Sequence, residues 1–272
     1  MATAVGVAIC LVLLLCPRPY GPRLAHDIGR GFIICMEDCR ELQIAIGASL
    51  EIGNVTAWKA DRGENASGLP LYAQHVIDWG RHDHMQIANR AALGCLRSHM
   101  GIWRHIAARG EGPVAVFEED ALIHGDSAAL LAELWHDVRD EPWELLMLER
   151  GQIHASGKWA ALGTHASRCD GRCTWLGTRG YVVTPKGAQI LLEHSEPQVV
   201  QVDALISLVA EFDPRFRLVV TRRNVVDAQW WKGSYIWDAC LKCMVPEGWG
   251  AYGLVGVVVL TGVLLFKVIQ FY

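Results

Sequence analysis

Three consecutive acids, Glu118, Glu119 and Asp120, follow the apolar run Val114-Ala115-Val116-Phe117. Carboxylates left unpaired inside a sheet are costly. The acids therefore belong at the carboxyl end of a strand, where open α/β sheets gather their ligands. Successive residues of an extended chain point to opposite sides, so Glu118 and Asp120 share one face. Two carboxylates on one face suit a hard divalent cation with oxygen ligands. Such a cation can hold a diphosphate and offset its charge as it leaves. The same three residues also fit an exposed acidic turn. Alone they do not separate transfer from a diphosphate from phosphate-ester hydrolysis.

Other residues offer chemistry with two readings each. Asp203 opens an apolar helical segment; it suits a general base for an acceptor hydroxyl, or a helix cap. His99 lies on the apolar stripe of a helix, as a buried hydrogen-bonded ring or a site residue, with Ser98 beside it. His82, Asp83 and His84 form a polar cluster able to meet a metal or diphosphate, or to stay in a solvated loop. Trp230 and Trp231 can stack on sugars or sit in a core or membrane interface.

The elements that must position these residues alternate. Residues 32–36, 55–58, 114–117, 145–148, 181–183 and 216–220 read as strands, most of them continuous apolar runs. Residues 88–108, 127–138, 185–192 and 202–211 carry helical spacing, and Gly110 and Gly112 end the first of these. The turn-rich stretch 61–70 is a loop. This order predicts an α/β domain with a mostly parallel central sheet.

The 272 residues are 51% hydrophobic and 20% charged, too apolar for a disordered chain. A formal net charge of −4 provides no strong basic field for nucleic acid. Both ends are apolar. Residues 1–21 read as a signal peptide or signal anchor, and residues 249–268 as a transmembrane helix whose apolar run, Gly250 to Phe266, is followed by Lys267. Between them, residues 26–245 form the expected catalytic domain. Asn54-Val55-Thr56 and Asn65-Ala66-Ser67 are glycosylation sequons, with Asn54 and Asn65 as acceptors. Membrane-bound, lumenal placement in the endoplasmic reticulum or Golgi follows as the expectation. Of the nine cysteines, Cys10 and Cys16 belong to the N-terminal run, and in that lumen disulfides are the default for the other seven. Cys169/Cys173 and Cys240/Cys243 each suit a local bridge, those four also suit a zinc site, and Cys95 inside a helix suits a free thiol.

The stretch Leu93-Gly94-Cys95-Leu96-Arg97-Ser98-His99-Met100-Gly101-Ile102-Trp103, followed by Val114 to Ala121, resembles glycosyltransferase family 25. That family includes lipooligosaccharide and procollagen galactosyltransferases. Its pattern is a G-C-x-x-S-H-x-x-x-W helix, a short gap and a hydrophobic strand ending in E-D-D. Trp143 to Leu148, Gly180 to Ala188, Val202-Asp203 and Val225 to Ser234 with Gln229 resemble later segments, extending the likeness over residues 31–235. The resemblance implies a GT-A-like fold, a UDP-sugar donor, Mn²⁺ or another divalent cation, a glycan or glycoprotein acceptor, and inversion at the anomeric carbon. It implies Asp120 and Glu118 as metal ligands, Ser98, His99, Glu118 and Asp61 as donor-binding residues, and Asp203 and Glu119 as catalytic residues.

The chain departs from the pattern in places. Glu119 stands where the family usually has Asp. Ile34-Cys35-Met36 lacks the family's Asn, Arg40 comes early, and Ala60-Asp61-Arg62-Gly63 has altered spacing. These departures motivate a second reading, a catalytically inactive membrane protein of the same fold with a binding or structural role. A metal-dependent hydrolase is the third.

Overall fold

The structure, a computed structural model, describes residues 27–67, 69, 86–87, 89–150, 158–171, 173 and 177–229. The expected segments 1–21 and 249–268, His82, Asp83, His84, Trp230, Trp231, Cys240 and Cys243 lie outside the described residues.

In chain order the elements are β1 (Gly31–Cys35), α1 (Arg40–Leu50), β2 (Val55–Lys59), α2 (Arg90–Arg109), β3 (Val114–Glu118), β4 (Ala121–Ile123), α3 (Ser127–Val138), β5 (Leu145–Met147), β6 (Trp159–Leu162), β7 (Ala166–Cys169), β8 (Gly180–Val183), α4 (Pro185–His194), α5 (Val202–Phe212), β9 (Leu218–Thr221) and β10 (Val226–Ala228). One 8-stranded sheet runs in the order β2-β1-β3-β8-β5-β9-β7-β6. The pairs β1/β2, β1/β3 and β5/β9 are parallel. Strands β8 and β7 run against their neighbours, which makes the sheet mixed but mostly parallel in strand direction. Strands β4 and β10 form a separate antiparallel ribbon.

The apolar strand runs have no polar alternation because both faces of the sheet are covered. Phe32, Ile34, Val114, Val116, Leu145, Met147, Tyr181, Val183, Leu218 and Val220 face one core, with residues of α2, α4 and α5. Ile33, Cys35, Ala115, Phe117, Leu146, Leu148, Val182 and Val219 face the other, with α1 and α3. Each fully buried Val, Leu, Ile or Phe contributes about 1.5–3 kcal/mol. A one-residue slip in any central strand would move its whole set to the opposite core.

Helix α2 has defined ends. The Asn89 side chain accepts from Ala92 N at 2.7 Å, and Gly110 takes φ 63° and donates its N–H to the Ile106 carbonyl. The side chain of Thr184 accepts from Gly187 N at 3.0 Å to start α4, with Pro185 in the first turn.

Helix α1 is absent from the sequence reading. Its buried residues are Ile46 and Leu50, while Ile44 is 62% exposed. Such a sparse stripe has little helical period to detect. Strands β4, β6, β7 and β10, three or four residues each, are likewise too short to show a period in the sequence. Disulfides join Cys35 to Cys39 and Cys169 to Cys173, and Cys95 is free. The second bridge takes two thiols from the alternative zinc site. Among the described residues no helix is long and apolar enough to cross a membrane.

Candidate functional site

Strand β3 delivers Glu118 to the carboxyl edge of the sheet. Its neighbour β8 is antiparallel and starts there, with Phe117 opposite Gly180 and Glu118 N donating to the Arg179 carbonyl at 3.0 Å. Strand β5, on the other side of β8, ends at the same edge and is followed by Glu149. One edge therefore gathers Glu118, Thr178, Arg179 and Glu149, and the turn after β3 adds Asp120.

The partners at this edge are close. Thr178 Oγ1 donates to Glu118 Oε1 at 2.5 Å, and His99 Nε2 lies 3.3 Å from the same oxygen. Arg179 donates from its backbone N to Glu149 Oε1 and from Nη1 to Oε2, both at 2.7 Å. Arg179 Nε stands 3.5 Å from Asp120 Oδ2. Asp120 Oδ1 is buried and has no hydrogen-bond partner.

The electrostatics follow from this crowding. Burial alone would raise Glu118, but hydrogen bonds from His99 and Thr178 and the Arg179 charge outweigh it and hold Glu118 below the ordinary carboxylate value. Burial, then the Glu118 charge, pushes Asp120 up to about 6 against the pull of Arg179. Burial also pushes Glu149 up to about 7, despite the Arg179 guanidinium. Asp203 is raised, first by burial and then by Glu118, against hydrogen bonds from Ala204 N and Gly177 N. Several acids thus share one guanidinium in a poorly solvated pocket.

Two groups of residues offer ligand atoms to a cation. Asp120 Oδ1 and the carboxylate of Glu118 form an oxygen-only set, and the orphaned, buried Oδ1 is the sort of atom a hard cation satisfies. Cys95, His99 and Glu118 also each offer one ligand atom, all within 4.8 Å of one another. Burial, followed by the charges of Glu118, Asp203 and Asp120, raises Cys95 above the ordinary thiol value.

Helix α2 supplies its residues in i, i+4 pairs on one side. Gly94 and Ser98 receive the loop after β2. Ser98 Oγ accepts from Asp61 N at 2.8 Å and donates to the Gly94 carbonyl at 2.7 Å. A Cβ on Gly94 would stand 2.8 Å from Arg62 C and Gly63 N, so only glycine admits that loop. Asp61 Oδ1 accepts from Gly63 N at 2.6 Å. Cys95 and His99 face Glu118. His99 and Trp103 both reach the Tyr181 hydroxyl, at 2.8 and 2.9 Å.

The remaining expected residues lie as follows. Asp203 is in the first turn of α5. Its Oδ1 accepts from Ala204 N at 2.7 Å and its Oδ2 from Gly177 N at 3.2 Å, which ties the helix start to the loop before Thr178. Glu119 turns the other way: its Oε2 accepts from Met36 N at 3.0 Å. Glu119 lines a cavity of about 380 Å³ with Asp38, Cys39, Arg40, Glu41 and Leu42. Asn54 and Asn65 are exposed, and Ser67 Oγ donates to Asn65 Oδ1 at 2.5 Å. Gln229 donates from its backbone N to the Asp120 carbonyl and from Nε2 to the Ala121 carbonyl, both at 2.9 Å.

Sequence reasoning missed Glu149, Thr178 and Arg179. Glu149 carried a readable signal, since like Glu118 it is an acid directly after a buried apolar run. Thr178 and Arg179 carried none; they enter through strand order.

No family model matches the chain. The human protein named "Inactive glycosyltransferase 25 family member 3" is 30% identical over 129 residues, covering 46% of this chain and 21% of that protein. The mouse protein of the same name is also 30% identical over 129 residues, with the same shares. "Procollagen galactosyltransferase 1-A" of Xenopus laevis is 29% identical over 119 residues, 43% of this chain and 19% of that protein. The chain thus spans about a fifth of the length of the curated relatives it matches. Among solved structures, a UDP-glucose pyrophosphorylase from Acinetobacter baumanii aligns over 76% of this chain and 74% of its own, at 13% identity and a TM-score of 0.31. It is from the curated sequences that the conclusion comes: over somewhat less than half its length, this chain is similar to members of the glycosyltransferase 25 family.

Proposed function

We propose that this chain is a metal-dependent glycosyltransferase with a GT-A-like domain. It moves a sugar, galactose or glucose, from a UDP-sugar to a glycan or glycoprotein acceptor. The observation that carries the reading is Asp120 Oδ1, buried and without a partner among acids at the carboxyl edge of the sheet. The kinship with a procollagen galactosyltransferase supports the reaction class.

Asp120 and Glu118 would hold Mn²⁺ or a similar cation. Bound there, the ion would offset the negative charge that develops on the departing diphosphate. The chain's own residues supply the rest. Glu118 is held in place by Thr178 and His99. Glu119, which lines a cavity with Asp38, Cys39, Arg40, Glu41 and Leu42, stays a catalytic candidate under this proposal. Asp61 and Ser98 shape the loop over α2 on the donor side. Asp203 is the proposed base. With its proton affinity raised by burial, its carboxylate takes the acceptor hydroxyl's proton as that oxygen bonds to the anomeric carbon. The carbon–oxygen bond to UDP breaks on the opposite face, so configuration inverts.

The bridges Cys35–Cys39 and Cys169–Cys173 and the exposed Asn54 and Asn65 support a lumenal domain in the endoplasmic reticulum or Golgi. Membrane anchoring through residues 249–268 belongs to the same proposal.

A second reading is a catalytically inactive binding protein. The Arg179 guanidinium favours it, because a fixed positive charge 3.5 Å from Asp120 can stand in for a cation. The human relative's name includes the word inactive. Turnover of UDP-galactose and UDP-glucose with Mn²⁺, against an EDTA control, separates the two. Metal-dependent UDP release supports the enzyme. Folded protein that neither turns over nor binds a donor supports the inactive reading.

A further inference from the structure

Four buried or half-buried side chains run in line from α2 to the acid cluster. Trp103 Nε1 lies 2.9 Å from Tyr181 Oη, Tyr181 Oη 2.8 Å from His99 Nδ1, and His99 Nε2 3.3 Å from Glu118 Oε1. Trp103, Tyr181 and His99 are each fully buried, so solvent does not complete their hydrogen bonds.

We propose that these residues form a one-directional hydrogen-bond chain, in which Trp103 and Tyr181 are positioning residues that fix His99 in its Nε2–H tautomer, aimed at Glu118. The polarity is set from both ends. An indole N–H only donates, so the Tyr181 oxygen must accept from Trp103. Among the described residues the acceptor within reach of the Tyr181 hydrogen is then His99 Nδ1. A neutral imidazole accepting at Nδ1 carries its proton on Nε2. That proton meets Glu118, an acceptor when ionised. Running the chain backwards, or protonating both ring nitrogens, would leave the Tyr181 hydrogen without an acceptor among the described residues, and running it backwards would also set a lone pair against the carboxylate. Tyr181 keeps its hydrogen throughout, because burial raises it well above 10.0.

Two consequences follow. The His99 Nε2 lone pair is spent on a proton, so the Cys95–His99–Glu118 cluster is closed to a soft metal through His99. Any cation is left to the oxygen set of Asp120 and Glu118. Trp103 also acts on the site from one turn beyond His99, through an N–H that Phe or Tyr at this position would lack. The bearing of the chain on turnover rests on the function proposed above; its hydrogen-bond polarity does not.

The test is nitrogen NMR on the full chain labelled with ¹⁵N-histidine, with His99→Gln used to identify the signal. The expected result is an unprotonated Nδ1 and a protonated Nε2, unchanged on adding Zn²⁺. A proton on Nδ1, or a shift of Nε2 to a metal-bound signal with Zn²⁺, would overturn the proposal whether or not the protein turns over a sugar. For the positioning role, Tyr181→Phe is expected to lower kcat about tenfold, the low end for groups behind a metal ligand, with acceptor KM unchanged. Trp103→Phe is expected to lower kcat in the wild-type background and to add nothing in Tyr181→Phe. Independent, multiplying losses would show that Trp103 does not act through Tyr181.

Discussion

Arg179 stands between two acids: its Nη1 and backbone N–H both bind Glu149, and its Nε lies 3.5 Å from Asp120 Oδ2. The same guanidinium therefore anchors one carboxylate and competes for the other. Unit charges about 4 Å apart attract by roughly 4 kcal/mol at an effective dielectric of about 20. Arg179→Gln is expected to tighten Mn²⁺ binding about tenfold, a conservative share of that attraction. It should also lower the melting temperature, because Glu149 loses its partner. Calorimetric titration reads the first effect. Unchanged affinity would mean that Arg179 does not compete with the cation.

Asp120 gives a pH signature. Its folded value of about 6 lies above the ordinary 3.8. Between those values the folded chain holds a proton that the unfolded chain has released. The stability linked to this group is thus present at low pH and is lost as pH rises through about 6. Asp120→Asn, which mimics the protonated acid, should melt with the wild type near pH 4. Near pH 7 it should be more stable by up to about 3 kcal/mol, reduced by the nearby Arg179. Thermal melts at the two pH values check this. A variant less stable at neutral pH would contradict it.

Ser98 and Gly94 test the seat of the loop after β2. Ser98→Ala leaves the Asp61 N–H without its acceptor and should cost about 1–3 kcal/mol. Gly94→Ala pushes a methyl against the backbone of residues 61–63 and should cost at least about 1–3 kcal/mol, as overpacking does. Denaturant unfolding measures both. A neutral Gly94→Ala would mean that the loop can lift away from α2.

Glu144 is the control at the far edge. It accepts from Arg217 N, Nε and Nη2 and from Lys186 Nζ, at 2.7–3.0 Å. Burial would raise it, but these bonds outweigh burial and hold it below the ordinary value. Its stabilisation is present near neutral pH and is lost as pH falls through that lowered value. Glu144→Gln is expected to cost roughly 1–3 kcal/mol, limited because Arg217 and Lys186 can regain water. Donor affinity should not change, since Glu144 lies at the start of β5 and the acids lie beyond its end. A loss of donor binding with stability intact would contradict this placement.

Much of the scaffold was legible because it is local. Runs such as Val114-Ala115-Val116-Phe117 and Leu145-Leu146-Met147-Leu148 are apolar at every position, as strands covered on both faces must be. Helix α2 showed its stripe and its Gly110 stop. Helix α1 was not legible, since it buries little more than Ile46 and Leu50. The spacing Gly94, Cys95, Ser98, His99, Trp103 was visible, but not which partner each residue meets.

The sequence by itself determined that the acids begin at the end of a buried strand, with Glu118 its last residue, that α2 presents its motif at i, i+4 spacing, and that the chain alternates strand and helix. These follow from local chain geometry and from the cost of burying charge. That Asp120 reaches the site from a turn, not from an extended strand, was decided by the fold. Only the tertiary structure decided that β8 lies between β3 and β5 and runs against both. That placement brings Thr178, Arg179 and Glu149 to Glu118 and Asp120, and Tyr181 to His99 and Trp103. Strand order rests on pairings between residues 30 to 80 or so positions apart, as in Arg179 with Glu149 and Trp103 with Tyr181. Contacts of that kind leave no periodic trace in the chain, because their energy is settled by packing across the whole sheet.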